Sequence, residues 1–228
     1  MDYWKKHFNQ NYEKYPENPK KQLDMTVNGN EVDEKQVLLR AESIKNNLKL
    51  DKNDIILDLC CGNGVITRII SNYVSYVYAI DFSENLIKYA RENFSSFNIQ
   101  YIIGDASRMD LSQYKANKIN IYSCIQYLSA DDLNNLLENL SVVDSDLIYI
   151  SNIPDENKIF NYYNTPEKKE YYYSCLMKGI PNNIGTWYKK RDLTKNFESH
   201  GFECKILDIN PELNTSYYRF DVLLKRSK

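Results

Sequence analysis

Asp54-Ile55-Ile56-Leu57-Asp58-Leu59-Cys60-Cys61-Gly62-Asn63-Gly64 decides how this chain is read. An apolar run ends in an acid and then turns through two glycines, and the segment Val65 to Val74 behind it has helical character. The pattern is that of a buried strand feeding a tight loop that opens a helix. Glycines in such a loop let backbone approach a ligand, and the start of the helix offers unpaired N–H groups. A nucleotide-like cofactor is the expected guest.

The next units repeat the logic. Ser75 to Ile80 reads as a second strand ending at Asp81, and Ile99 to Gly104 as a third ending at Asp105. An acid at the tip of the strand after the glycine loop is placed to accept hydrogen bonds from ribose hydroxyls. Asp58, Asp81 and Asp105 therefore stand near the ends of three successive strands. Lys118 to Cys124 and Asp146 to Ile150 read as two more, separated by a helix that Ser129 caps and that carries Leu133, Leu136, Leu137 and Leu140. Another helix starts at Ser83, with Ala90 and Phe94 on its apolar stripe, and residues 31–48 form a third, spaced by Val37, Ala41, Ile44 and Leu48. Strands alternating with helices call for a parallel sheet covered on both faces.

The end of the chain breaks this rhythm. Asp192 is read as the cap of a short helix with Leu193 and Phe197, which Gly201 stops. Two strands follow without a helix between them, Phe202 to Ile209 and Tyr217 to Lys225, and in the second Tyr218, Phe220, Val222 and Leu224 alternate with Arg219, Asp221 and Lys225. Alternation fits antiparallel pairing near a sheet edge. Residues 1–30 are polar and aromatic without clean periodicity, and 155–190 is an insertion rich in tyrosine.

Composition bounds the function. A chain of 228 residues with 43% hydrophobic content suits one domain with a sizeable core. A net charge of −2 without a dense basic block argues against a nucleic-acid partner held through phosphate backbones. The start Met1-Asp2-Tyr3-Trp4-Lys5-Lys6 has no apolar run behind its charges, so no signal peptide is expected, and no stretch approaches membrane length. Five cysteines, an odd number without a C-x-x-C pair, point away from a metal site or a disulfide framework and toward a reduced cytoplasm. Cys60 and Cys61 read as small residues fitting a crowded loop.

A dinucleotide oxidoreductase would show G-x-G-x-x-G/A and six parallel strands, whereas here Thr67 stands three after Gly64. With these residues in view, about 35–228 resembles the class I S-adenosylmethionine-dependent methyltransferases. The loop Asp58 to Gly64 is similar to the family's first motif, with Cys60 where glycine is commoner. Val77 to Ser83 is similar to the second, Ile103-Gly104-Asp105-Ala106 to the third, and Asn120 to Cys124 to the fourth, with Asn120 where many members carry aspartate. The chain from Gly201-Phe202 through Leu224 resembles the reversed hairpin that closes the family's sheet. The absence of an Asn/Asp-Pro-Pro-Tyr sequence counts against members that grip a flipped adenine.

The resemblance implies an α/β fold: a Rossmann-like, doubly wound seven-stranded sheet, mostly parallel, with an antiparallel C-terminal hairpin strand. It also implies a methyltransferase that uses S-adenosyl-L-methionine and releases S-adenosyl-L-homocysteine. The expected layout is an N-terminal cap over 1–30 and a methyltransferase domain over 31–228 with an acceptor-side insertion at 155–190. Expected cofactor contacts are Asp58, Cys60, Gly62, Gly64, Asp81 (ribose), Phe82, Asp105 (adenine amino group), Ala106 and Ser123. Asp58 is open to two roles, holding the glycine loop through backbone N–H groups or accepting from the cofactor's amino group. The acceptor is expected to be a small molecule such as a sugar, nucleotide-sugar or other metabolite, methylated on O or N. Trp4, Tyr127, Tyr162 and Tyr188 are acceptor-side candidates, since aromatic rings offer flat faces and polar tips. His7 is the candidate base, which a hydroxyl acceptor needs, and His200 is read as structural at a helix end. A macromolecular methyltransferase, acting on protein or RNA, and a non-catalytic cofactor-binding domain remain as alternatives.

Overall fold

The computed structural model describes residues 2–227; Met1 and Lys228, the outer ends of the two expected segments, lie outside the described residues. Nine strands and nine helices are described. The N-terminal part comprises α1 (Asp2–Lys14), α2 (Pro19–Gln22), and a hairpin of β1 (Thr26–Val27) and β2 (Asn30–Glu31). Its two-residue turn, Asn28-Gly29, has positive φ at both positions, the geometry an Asn-Gly pair favours.

The core alternates strands and helices: α3 (Glu34–Leu48), β3 (Ile55–Leu59), α4 (Thr67–Ile70), β4 (Tyr76–Asp81), α5 (Glu84–Asn93), β5 (Ile99–Ile103), β6 (Lys118–Tyr122), α6 (Ala130–Ser141) and β7 (Leu147–Pro154). After β7 come α7 (Ile159–Tyr162), α8 (Pro166–Lys178), α9 (Lys190–Ser199), β8 (Phe202–Leu207) and β9 (Arg219–Arg226). The main sheet has the order β5-β4-β3-β6-β7-β9-β8. Its first five strands are parallel, and β9 runs antiparallel between β7 and β8. This is the expected mostly parallel seven-stranded sheet with a reversed hairpin strand.

Both faces of the sheet are covered. Ile56, Val77 and Ala79 pack with Val37, Ala41 and Ile44 of α3 and Ile87 and Ala90 of α5. The alternate positions Leu57, Ile80, Ile119, Ile121 and Ile148 pack with Leu133, Leu136 and Leu140 of α6 and Leu193 and Phe197 of α9. Successive side chains leave a strand on opposite faces, so one apolar run feeds two helix layers.

Local capping follows the chemistry at several helix starts, while α4, α7 and α9 lack a side-chain cap. Asp33, Ser83 and Ser129 accept from the backbone N–H groups of Gln36, Leu86 and Asp132. Helix α9, expected to be capped by Asp192, begins earlier, at Lys190, and the residue before it supplies no side-chain cap. The expected helix from Val65 to Val74 is also shorter: α4 gives way to a 3-10 turn at Ser71–Tyr73.

Because the chain reverses its winding between β3 and β6, the carboxyl ends of these strands frame a crevice, the place where open α/β sheets bind ligands. Strand β9 runs the other way, so its first residue, Arg219, reaches the same edge.

Candidate active site

A cavity of about 310 Å³ opens at this edge, within the size range of small-ligand sites. It is lined from β3 by Asp58 and Cys60, from β4 by Asp81 and Phe82, from the end of β5 by Asp105 and Ala106, and from β6 by Asn120, Tyr122 and Ser123. The sequence-predicted Asp58, Cys60, Asp81, Phe82, Asp105, Ala106 and Ser123 are thus brought together with Gly62. Asn152 of β7 and Arg219 of β9 continue the wall, and Trp4, His7, Phe8 and Leu23 from the N-terminal part line one side of it.

The backbone at this edge is unusual. Cys60, Ser123 and Asn152, each just past or near the end of a parallel strand, have φ of 59°, 51° and 64°. Left-handed backbone in residues with a Cβ costs roughly 1–3 kcal/mol each and concentrates at functional sites. At Asn152 it accompanies a register shift between β7 and β9. At Ser123 it turns the side-chain oxygen to accept from Gln126 Nε2 at 2.9 Å and Asn152 Nδ2 at 3.0 Å.

Asp81 accepts from the backbone N–H of Gly62 and of Ser83, both at 2.9 Å. It therefore ties the glycine loop to the start of α5 and still has lone pairs for ligand donors. Asp105 accepts from Ser107 N–H and Oγ at 3.0 and 2.7 Å, so it also starts the turn it stands in.

Of the two roles open to Asp58, holding the glycine loop through backbone N–H groups is not seen among the described residues. Asp58 accepts from Thr67 Oγ1 at 2.6 Å and from Asn120 Nδ2 at 2.7 Å. Thr67, which argued against the dinucleotide motif, is thus the donor that holds Asp58, and the other face of the Asn120 amide, Oδ1, is buried without a partner among the described residues. Desolvation pushes the carboxyls of Asp58 and Asp81 up to about 6.

The two glycines make different close approaches. A Cβ on Gly62, at φ +58°, would lie 2.7 Å from Leu23 Cδ2, so this glycine lets the N-terminal part settle on the loop. A Cβ on Gly64, at φ +81°, would lie 2.5 Å from the Tyr101 hydroxyl, and Gly64 is not part of the cavity wall. Asn63 between them donates to Pro19 O at 2.8 Å and Gln22 Oε1 at 2.7 Å, pinning the same N-terminal segment.

Of the acceptor-side candidates, Trp4, Tyr127 and Tyr162 line the cavity; Trp4 and Tyr127 have ring centroids 4.4 Å apart. Tyr188 does not: its hydroxyl donates to Ile125 O at 2.7 Å and its backbone pairs beside Asp155. His7 lies at the cavity with its Nε2 2.6 Å from Asp24 Oδ2. His200 sits at the end of α9 with Nδ1 2.7 Å from Asn196 O, as its structural reading required.

The expectation of unpaired cysteines needs correction. Cys60 and Cys124 form a disulfide, with Cα atoms 6.0 Å apart, while Cys61, Cys175 and Cys204 are free. The two cysteines are 64 residues apart and become neighbours only because β3 and β6 lie side by side.

Sequence reasoning missed Arg40, Tyr122, Asn152, Asn214, Tyr218 and Arg219, all of which line the cavity. Arg40 carried a signal: it lies on α3 beside the apolar stripe of Val37, Ala41 and Ile44, where a charge calls for an explanation. Arg219 was read as one of the polar residues alternating with the core, yet it and Asp221 are buried. Strand β9 is not at the edge, and the end carrying these residues faces the cavity and β7.

A family model described as a methyltransferase domain matches residues 56–143. Among curated proteins, one of Methanococcus vannielii named "Probable cobalt-precorrin-6B C(15)-methyltransferase (decarboxylating)" is 34% identical over 116 residues, 47% of this chain and 63% of that protein. The chain thus spans less than two thirds of that relative's length. Among solved structures, Haemonchus contortus phosphoethanolamine N-methyltransferase 1, bound to phosphoethanolamine and S-adenosylhomocysteine, aligns with a TM-score of 0.70 at 15% identity, covering 98% of this chain and 49% of that one. The DhpI–SAH complex aligns with a TM-score of 0.65 at 11% identity, covering 98% and 95%. Both show a shared fold.

Proposed function

We propose that the chain is a class I S-adenosylmethionine-dependent methyltransferase that transfers a methyl group from S-adenosyl-L-methionine to an O or N atom of a small-molecule acceptor. One observation carries the reading: one cavity runs from the strand-end acids Asp58, Asp81 and Asp105 to a polar and aromatic wall, with the N-terminal segment lining one side. S-adenosylmethionine, when bound, supplies an electrophilic methyl on a sulfonium. The residues present fit such a group. Asp81 keeps acceptor capacity for ribose hydroxyls, Asp105 offers a carboxylate to an adenine amino group, and the buried Asn120 Oδ1 beside Asp58 suits an ammonium donor. Cys60, Gly62, Phe82, Ala106 and Ser123 would surround it.

The acceptor half contains Trp4, Tyr127 and Tyr162. Residues 1–30 act as the cap and exclude water: Trp4 and Phe8 of α1 pack with Leu86 of α5. His7, oriented by Asp24, is the group placed to take a proton from a hydroxyl acceptor; an amine acceptor with a free lone pair would not need it. A macromolecular acceptor suits this site less well, because Trp4, His7 and Phe8 of α1 narrow the cavity that an open groove would leave bare. The name of the Methanococcus vannielii relative describes methylation of a small molecule at a carbon, C(15), which supports a small-molecule acceptor but not the choice of O or N. The Cys60–Cys124 bond removes the premise on which the sequence pointed to a reduced cytoplasm.

Calorimetry with S-adenosylhomocysteine, followed by labelled methyl transfer into a metabolite extract, tests the proposal. Binding with labelled product in the small-molecule fraction is the expected result. Absence of binding, or label found only in RNA or protein, would refute it.

A further inference from the structure

The far wall of the cavity contains two buried guanidinium groups. Arg40 of α3 is 3% exposed and Arg219 of β9 is 6% exposed, and both line the cavity. Arginine stays protonated, so burial cannot be relieved by loss of the charge. A buried cation calls for an anion, yet among the described residues neither arginine has a carboxylate within salt-bridge distance.

Their hydrogen bonds go to neutral groups and are incomplete. Arg40 Nε donates to the Tyr122 hydroxyl at 2.6 Å and Nη2 to Asn214 Oδ1 at 2.7 Å, while Nη1 has no partner among the described residues. Arg219 donates through Nη1 to Asn152 O, stacks on the Tyr218 ring at 5.0 Å, and leaves Nε without a partner. Asp221, two residues along β9, is already committed: it accepts from the Tyr149 hydroxyl and from Asn152 N–H. The pocket acids Asp58 and Asp81 are likewise engaged with Thr67, Asn120, Gly62 and Ser83.

We infer that the acceptor is an anionic small molecule whose oxyanion, a carboxylate or a phosphate, is held by Arg40 and Arg219. Resting on the methyl-transfer reading of the cavity, this assigns the two arginines as the residues that select and orient the acceptor. Guanidinium groups match the planar oxygens of a carboxylate and the faces of a phosphate, and donate two bonds at a time. The network around them is built to hold the forks in place: Tyr122 and Asn214 fix Arg40, and Tyr218 and the Asn152 carbonyl fix Arg219.

The test is calorimetric titration of the full chain with inorganic phosphate and, separately, with acetate, at constant ionic strength, with and without S-adenosylhomocysteine. Saturable binding of at least one anion is expected, and the tighter of the two identifies the acid class of the acceptor. Arg40→Gln and Arg219→Gln should each weaken anion binding about tenfold or more while S-adenosylhomocysteine affinity stays within about threefold of wild type. Arg40→Lys and Arg219→Lys, which keep the charge, should fall between. Should a glutamine variant fail to fold, the lysine variant and the protection of the wild-type melt by phosphate over chloride decide the matter. No saturable binding of either anion by the wild type, or equal binding by wild type and folded variants, would overturn the inference. Loss of S-adenosylhomocysteine binding by the wild type would instead strike the methyl-transfer reading, and anion binding measured without it still reports on the arginines.

Discussion

Replacing Gly64 by alanine separates two roles for the glycine loop. At φ +81° an L side chain pays roughly 1–2 kcal/mol for left-handed backbone. The new Cβ would also lie 2.5 Å from the Tyr101 hydroxyl and 2.9 Å from its ring. Tyr101 has little room to move, because it is buried and its hydroxyl donates to Phe94 O at 3.0 Å. Overpacking of this kind costs typically about 1–3 kcal/mol. Together the two effects come to about 3 kcal/mol, and at roughly 2–4 °C per kcal/mol for a chain of this size the melting temperature should drop by about 6–12 °C. Because Gly64 does not line the cavity, S-adenosylhomocysteine affinity of the folded variant should change by less than about threefold. Scanning calorimetry and titration of Gly64→Ala, Tyr101→Phe and the double variant form a thermodynamic cycle. Tyr101→Phe alone loses one hydrogen bond, about 1 kcal/mol, and the double variant should recover about 1 kcal/mol relative to additivity. Strict additivity, or a collapse of ligand affinity with an unchanged melting temperature, would refute the contact with Tyr101 as the reason for glycine.

Asp81→Asn should weaken S-adenosylhomocysteine binding by roughly 1–3 kcal/mol, since a charged acceptor of ligand hydroxyls is lost; unchanged affinity by calorimetry would remove Asp81 from the ribose site. Burial raises Asp58 and Asp81 from the ordinary 3.8 to about 6, so the folded protein binds their protons more tightly than the unfolded chain does. Their contribution to stability is full in acid and is lost as pH rises from 3.8 to about 6. The ligand's ammonium near Asp58 and its ribose hydroxyls near Asp81 favour the ionised carboxylates, so the rise in melting temperature on adding S-adenosylhomocysteine should be larger at about pH 7 than at about pH 5; a rise independent of pH would show that neither acid faces the ligand. With a hydroxyl acceptor, His7→Gln should lower kcat by roughly 10²–10⁴ with ligand affinity intact, and an unchanged kcat would exclude His7 as the base. Leu23→Ala removes packing over Gly62 and should cost about 2–3 kcal/mol or less in melting studies, with faster dissociation of S-adenosylhomocysteine as the functional readout.

Periodicity made the sheet legible because each core strand is a short apolar run ended by an acid or a turn, and each helix carries its stripe at helical spacing. The strand-end acids Asp58, Asp81 and Asp105 do meet at one cavity, since parallel strands with helical crossovers bring their carboxyl ends to one edge. The partners of those acids were not legible. Asp58 meets Thr67 and Asn120, and Asp81 meets Gly62 and Ser83, through hydrogen bonds whose geometry no spacing rule specifies. Tyr188 shows the opposite limit, a plausible residue type in a plausible segment whose hydroxyl is turned to the backbone of Ile125.

By itself the sequence determined the alternation of strands and helices, the strand-end acids and the reversed hairpin, because these depend on local patterns of burial and turn chemistry. Tertiary structure alone decided which wall of the cavity carries the two arginines. Arg40 comes from a helix before the first core strand and Arg219 from the start of the last strand, and they share a wall only because β9 runs backward beside β7. The same packing brings Cys60 to Cys124 and seats Leu23 on Gly62. Contacts between residues so far apart in the chain are set by how the layers close on one another, a property of the folded whole that no short stretch of sequence encodes.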